Sequence, residues 1–120
     1  MNLEVFNEQQ ELIYQNNGSW LYPLFELEEF INENNIQTEQ LFLKDKIIGA
    51  AAAVIIIKLG IKNCHGQLVS KLALPRLEKN NVKITWGKLT NRIDCKTEEI
   101  ITNQLSISEA YNILVNRASS

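Results

Sequence analysis

The sequence predicts an α/β fold, and three observations carry that expectation. After an opening hairpin, helix-like and strand-like segments alternate, which argues for parallel strands joined by crossover helices on both faces of a sheet. The stretch from Ile47 to Ile57 is apolar on nearly every side, so a helix built from it must lie between other layers. At 120 residues the chain has room for one ordinary core, and it reads as a single domain over 1–120.

Each element has a local cause. Leu3 to Phe6 and Glu11 to Gln15 read as two short strands, and the polar link Asn7-Glu8-Gln9-Gln10 makes them a hairpin. Asn16-Asn17-Gly18-Ser19 is a turn. The helix that follows carries Leu21, Leu24, Phe25, Leu27, Phe30 and Ile31 on a broad face. Pro23 is tolerated only in a first turn, so that helix starts near Tyr22. A strand is expected over Gln40 to Lys44, a turn capped by Asp45, and the apolar helix from Lys46 to Leu59, with Gly60 as its C′ residue. Ile61 to Val69 reads as the next strand. Ser70 is expected to cap a short helix through Lys79, with Pro75 making its start irregular. Val82 to Lys88 is a further strand. Ser106 and Glu109 have the spacing of a capping box before a final helix bearing Ala110, Ile113, Leu114 and Val115.

Composition narrows the class. Hydrophobic content of 45% with 22% charged residues is that of a soluble globular protein. The longest apolar run is far short of the roughly 20 residues a membrane helix needs, and the first residues lack a signal-peptide pattern, so the expected location is the cytoplasm with no membrane partner. Cys64 and Cys95 form no CxxC pair and are expected to be reduced thiols. Charge is unevenly placed. Through Asp45 the charged residues are acidic except Lys44, and from Lys46 to Arg92 they are basic except Glu78. Such asymmetry suits an anionic ligand or self-association as a homo-oligomer, and equally two solvated faces of one molecule. No aromatic stacking pattern accompanies the basic segment, which argues against nucleic acid.

In open α/β sheets, ligands gather at the carboxyl ends of strands beside helix starts. Here those positions are Gly18-Ser19, Asp45-Lys46, Ser70-Lys71 and Cys95-Lys96. A lysine at a first helical position opposes the helix dipole, and three of them suggest a place favourable to an anion, although first-turn lysines also splay into water. Asp45, Lys46, Gly49, Ser70, Lys71 and Arg92 are therefore the candidate ligand-binding residues. Asp45 is more simply a helix cap, and Gly49 with the alanines after it more simply close helix–sheet packing. Cys95 at a helix start could be a thiolate nucleophile, with Glu98 or Asp94 nearby, but no histidine adjoins it as a base. The lone His65 and neighbouring Cys64 point to opposite faces of a strand, which makes them a poor chelating pair. No P-loop, GxGxxG or HExxH is present.

Asp45-Lys46-Ile47-Ile48-Gly49-Ala50-Ala51-Ala52, the later Val69-Ser70 with Ala73 and Leu77, and Asn91-Arg92 with Cys95 and Glu98 together resemble the signatures of a small prokaryotic family, the domain of unknown function numbered eighteen-ninety-three, which has a cytidine deaminase-like fold. Lys96 stands where that family usually has proline, and the spacing after Arg92 is compressed. The resemblance implies a three-layer α/β/α sandwich around a mixed five-stranded sheet. It does not imply deamination. Zinc deaminases need a His or Cys with a Glu on one helix and P-C-x-x-C on the next. The two helix starts here offer Ser19-Trp20-Leu21-Tyr22 and Asp45-Lys46-Ile47-Ile48, so no metal and no cofactor is expected. Three functions follow, in order of expectation: a binding protein for an anionic or nucleotide-like ligand, a self-associating interaction protein, and an enzyme using Cys95.

Overall fold

The computed structural model describes residues 3–93, 98, 100–102 and 104–119. Strands β1 (Leu3–Phe6) and β2 (Leu12–Asn16) form the expected antiparallel hairpin. Asn7 closes its loop, its side-chain oxygen accepting from the Gln9 and Glu11 amides. Helix α1 (Tyr22–Glu33) begins where Pro23 requires. It is followed by β3 (Phe42–Ile48), α2 (Ala50–Leu59), β4 (Asn63–Ser70), α3 (Leu74–Lys79), β5 (Lys83–Thr90) and α4 (Ile107–Ala118). The five strands form one mixed sheet in the order β2-β1-β3-β4-β5. β1 runs antiparallel to both neighbours, while β3, β4 and β5 are parallel.

The boundaries around Asp45 and Ser70 differ from expectation. The strand expected to stop at Lys44 continues to Ile48, because Ile47 and Ile48 extend the parallel ladder opposite Leu68 and Val69. Their β-branched side chains favour that pleated surface. Asp45 is therefore a strand residue and not a helix cap. α2 starts only at Ala50, with Gly49 in extended backbone before it. Ser70 likewise ends β4 instead of capping the short helix expected through Lys79. Its hydroxyl accepts from the Leu72 amide at 3.1 Å, a turn follows, and α3 begins at Leu74. Lys46 and Lys71 thus do not stand at first helical positions, and the dipole argument does not apply to them.

The helix ends follow local chemistry. Gly60 terminates α2 with φ of 82°, left-handed backbone that glycine adopts without a Cβ penalty. Ser106 and Glu109 form the complete capping box. Val54, Ile55 and Ile56 are all buried, since α1, α3 and α4 pack against α2 while α2 packs on β3. Across α1, α2 and α4, Lys58 bridges to Glu28 at 2.9 Å and lies 4.0 Å from the Tyr111 ring, whose hydroxyl also donates to Glu28. That pair joins the acidic first part of the chain to its basic middle. Arg76 is held within the fold, donating to the Leu105 and Thr102 carbonyls.

The sheet's two faces differ. Leu3, Val5, Leu43 and Cys64 are buried toward the helices. Their strand neighbours point the other way, because successive side chains alternate. On that second face Phe42, Lys44 and Thr85 are exposed, and Phe6, Glu4 and His65 are half-buried. Among the described residues no helix is long and apolar enough to cross a membrane.

Gly66 shows how tightly α2's side of the sheet is packed. A Cβ there would stand 2.6 Å from Val69 Cγ2 and 3.2 Å from Ile48 Cδ1. Gly66→Ala is expected to destabilise the protein by about 1–3 kcal/mol through overpacking, read as a lower urea midpoint with an unchanged slope. An unchanged midpoint would show that Val69 has room to turn away.

Candidate functional site

A crevice of about 380 Å³ opens where β3 ends, between the starts of α1 and α2. Its place follows from the topology, since the carboxyl ends of parallel strands turn here into helix starts. The α1 side contributes Gly18, Ser19 and Trp20, the β3–α2 side Asp45, Lys46 and Gly49, and the segment after β5 Ile93 and Glu98.

Trp20 has φ of 55°, a left-handed conformation that is costly for a bulky side chain. Its indole is partly exposed and packs edge-on to Tyr22 at 5.1 Å and against Phe25 at 6.3 Å. The strained turn thus sets a flat aromatic surface at the mouth of the crevice.

Asp45 brings an ionisable group to the same place. Burial pushes its carboxyl up to about 7, against the lowering effect of hydrogen bonds from the Lys46 and Ile47 amides. The first of these is 2.8 Å long. Near neutral pH the group is divided between donor-bearing acid and anion, so it can give or accept a hydrogen bond. Lys46 is exposed beside it. Burial, with the Asp45 charge as a smaller contribution, pushes the nearby Cys64 thiol up to about 12, which keeps it protonated and unreactive.

Glu98 closes the inner side. It is 6% exposed, and its two carboxylate oxygens accept from the Ala50 amide at 2.7 Å and the Ile93 amide at 2.8 Å. Gly49 allows this approach, since a Cβ there would lie 3.3 Å from Ile93 Cγ1 and 3.4 Å from Glu98 Cδ. The start of α2 is therefore already served by an anion of the chain itself.

Of the candidate binding residues, Asp45, Lys46 and Gly49 line the crevice, and Ser70, Lys71 and Arg92 do not. Ser70 is buried, and the Lys71 amide donates to the Thr90 carbonyl at 2.8 Å, tying that turn to the end of β5. Glu98, weighed as a catalytic partner for Cys95, lines the crevice with both oxygens engaged. Cys95, Asp94 and Lys96 lie outside the described residues. Trp20 and Ile93 were not among the candidates. The Gly18-Ser19 turn marked Trp20's neighbourhood, but no local signal marks Ile93. Among the described residues no three His, Cys, Asp or Glu side chains come together as a possible metal-ligand group.

A family model described as Domain of unknown function (DUF1893) matches residues 5–117. Among solved structures, a DUF1893 family protein from Thermotoga maritima superposes with a TM-score of 0.85 at 20% identity, over 97% of this chain and 80% of that one. At that identity the likeness concerns the fold. No curated protein matches.

Proposed function

Because the chain belongs to the DUF1893 family, a domain of unknown function, we propose a role from the crevice itself: the protein binds a small nucleotide-like ligand at the carboxyl end of β3. The observation that carries this reading is the placement of Asp45, a carboxyl with a midpoint of about 7, in a 380 Å³ crevice beside Lys46 and Trp20. A crevice of that size with few convergent polar groups suits a small ligand. Trp20 supplies a stacking surface for a flat ring. Asp45 matches a ring edge that carries both donor and acceptor, and Lys46 attracts an anionic group. Because Glu98 occupies the start of α2, the anion is held by Lys46 and not by that helix end.

The role is binding, without zinc-dependent deamination. His65 pairs its Nδ1 with Thr85 Oγ1 at 2.7 Å on the sheet face away from α2, and Glu98 is committed to two backbone amides. A cytidine deaminase-like arrangement remains part of the proposal, without the expected third layer, because no described helix covers the second face of the sheet. The strand order and the hairpin followed by alternating helices support it.

Calorimetry with nucleoside monophosphates, their nucleosides and inorganic phosphate tests the reading at fixed ionic strength. At least one monophosphate is expected to bind more tightly than its nucleoside and than phosphate alone, and Lys46→Ala is expected to erase the first difference. Heats no larger than those of the phosphate control for every compound would end the proposal.

A further inference from the structure

The sheet face turned away from the helices is self-complementary, and we propose that it docks a second copy of this chain face to face. The register defines the surface. Phe6 lies opposite Phe42, and Glu4 lies opposite Lys44, across the β1–β3 pair. Partners in register share a face. Leu12, opposite Phe6 on β2, extends the apolar row, and Gln15, opposite Glu4, extends the polar one. Leu12 is 45% exposed and Phe42 is 36% exposed, with the Phe6 and Phe42 rings 6.4 Å apart. No described element buries this row.

A two-fold axis along the strands, midway between β1 and β3, exchanges those two strands. It sets Phe6 over Phe42 of the partner subunit and Phe42 over Phe6 of the partner subunit. It also sets Glu4 over Lys44 of the partner subunit, and Lys44 over Glu4 of the partner subunit. Apolar meets apolar and acid meets base in both directions, which is what an isologous interface requires. Sheets stacked in this way sit about 10 Å apart with strands within about 30° of each other. About this axis β2, β1, β3 and β4 overlap their copies while β5 lies outside, and four strands at about 4.8 Å, each some six residues long, make a shared face of roughly 19 by 20 Å. That is the scale of a modest reversible interface. A different protein partner would not be expected to match the Glu4–Lys44 exchange symmetry. The proposal is independent of the ligand reading of the crevice.

Sedimentation velocity of the full chain tests it, with circular dichroism confirming that each variant is folded. The wild type is expected to dimerise reversibly. Glu4→Lys and Lys44→Glu, each placing like charges across the axis, should each weaken the dimer at least about tenfold. The double variant E4K/K44E restores opposite charges across the axis and keeps the same pair within each chain, so it should recover dimerisation to within about threefold. Phe42→Ser should give a folded monomer. A wild type that stays monomeric at about 500 μM, well above the micromolar range in which reversible interfaces dissociate, would overturn the proposal. So would a dimer unmoved by the single variants, or one not recovered in the double variant.

Discussion

Asp45→Asn is expected to abolish most of the protein's loss of stability between about pH 4 and pH 7. Burial holds the Asp45 carboxyl at about 7 in the folded chain, against 3.8 for the free group. In that window the folded state keeps a proton that the unfolded state has released. Stability therefore falls as pH rises, because the unfolded state binds fewer protons. The contribution is complete below about pH 4 and lost by the time pH has passed 7. A three-unit difference corresponds to about 4 kcal/mol, and the partial exposure of the crevice lowers the expected effect to about 2–3 kcal/mol. Asparagine keeps an acceptor for the Lys46 amide but cannot ionise. Urea unfolding of both proteins at pH 4.5, 6 and 8 reads the effect. The wild type should decline more steeply than the variant, and the variant should be the more stable at pH 8. Parallel profiles would show that Asp45 titrates as an ordinary carboxylate.

Glu98→Ala should cost about 2–5 kcal/mol, because it leaves the Ala50 and Ile93 amides without their charged acceptor in a buried setting. The loss is specific to the start of α2 and the segment after β5. Glu98→Gln should fall between, since one carbonyl oxygen serves one amide while the new NH₂ faces the other. Thermal denaturation of the three proteins orders them, with wild type highest and alanine lowest. An alanine variant within about 1 kcal/mol of wild type, the cost expected of an exposed bond, would show that water replaces the carboxylate.

What the sequence revealed and what it concealed have the same physical basis: whether the cause of a feature is local. The hairpin, the start of α1 at Pro23, the glycine stop at Gly60 and the Ser106–Glu109 box each arise from residues within a few positions, and each stands where its local chemistry puts it. The start of α2 does not. Ile47 and Ile48 are as apolar as the helix they precede, so periodicity cannot divide strand from helix there, and only pairing with Leu68 and Val69 does so. Asp45 read as a cap for the same reason. The acceptor at the start of α2 comes from Glu98, 48 residues beyond Ala50, which no local motif encodes. Asp45, Lys46 and Gly49 were legible as candidates because strand ends gather ligands. The separation of Ser70 and Lys71 from the crevice depends on the turn tied to β5. The open sheet face did leave a trace. Glu4, Lys44 and His65 alternate with Val5, Leu43 and Cys64, whereas strands covered on both faces read as continuous apolar runs. The alternation of helices and strands along the chain argued for two covered faces, and it outweighed that smaller signal.

The central claim is that the crevice at the end of β3 is a ligand site, and amide chemical-shift mapping of the ¹⁵N-labelled protein with a nucleoside monophosphate tests it most directly. The account predicts saturable shifts at Gly18 to Trp20, Lys46 and Ala50, with the Lys71 and Lys83 amides unmoved. Shifts confined to the Ser70–Lys71 turn or the open sheet face, or none that saturate, would contradict it.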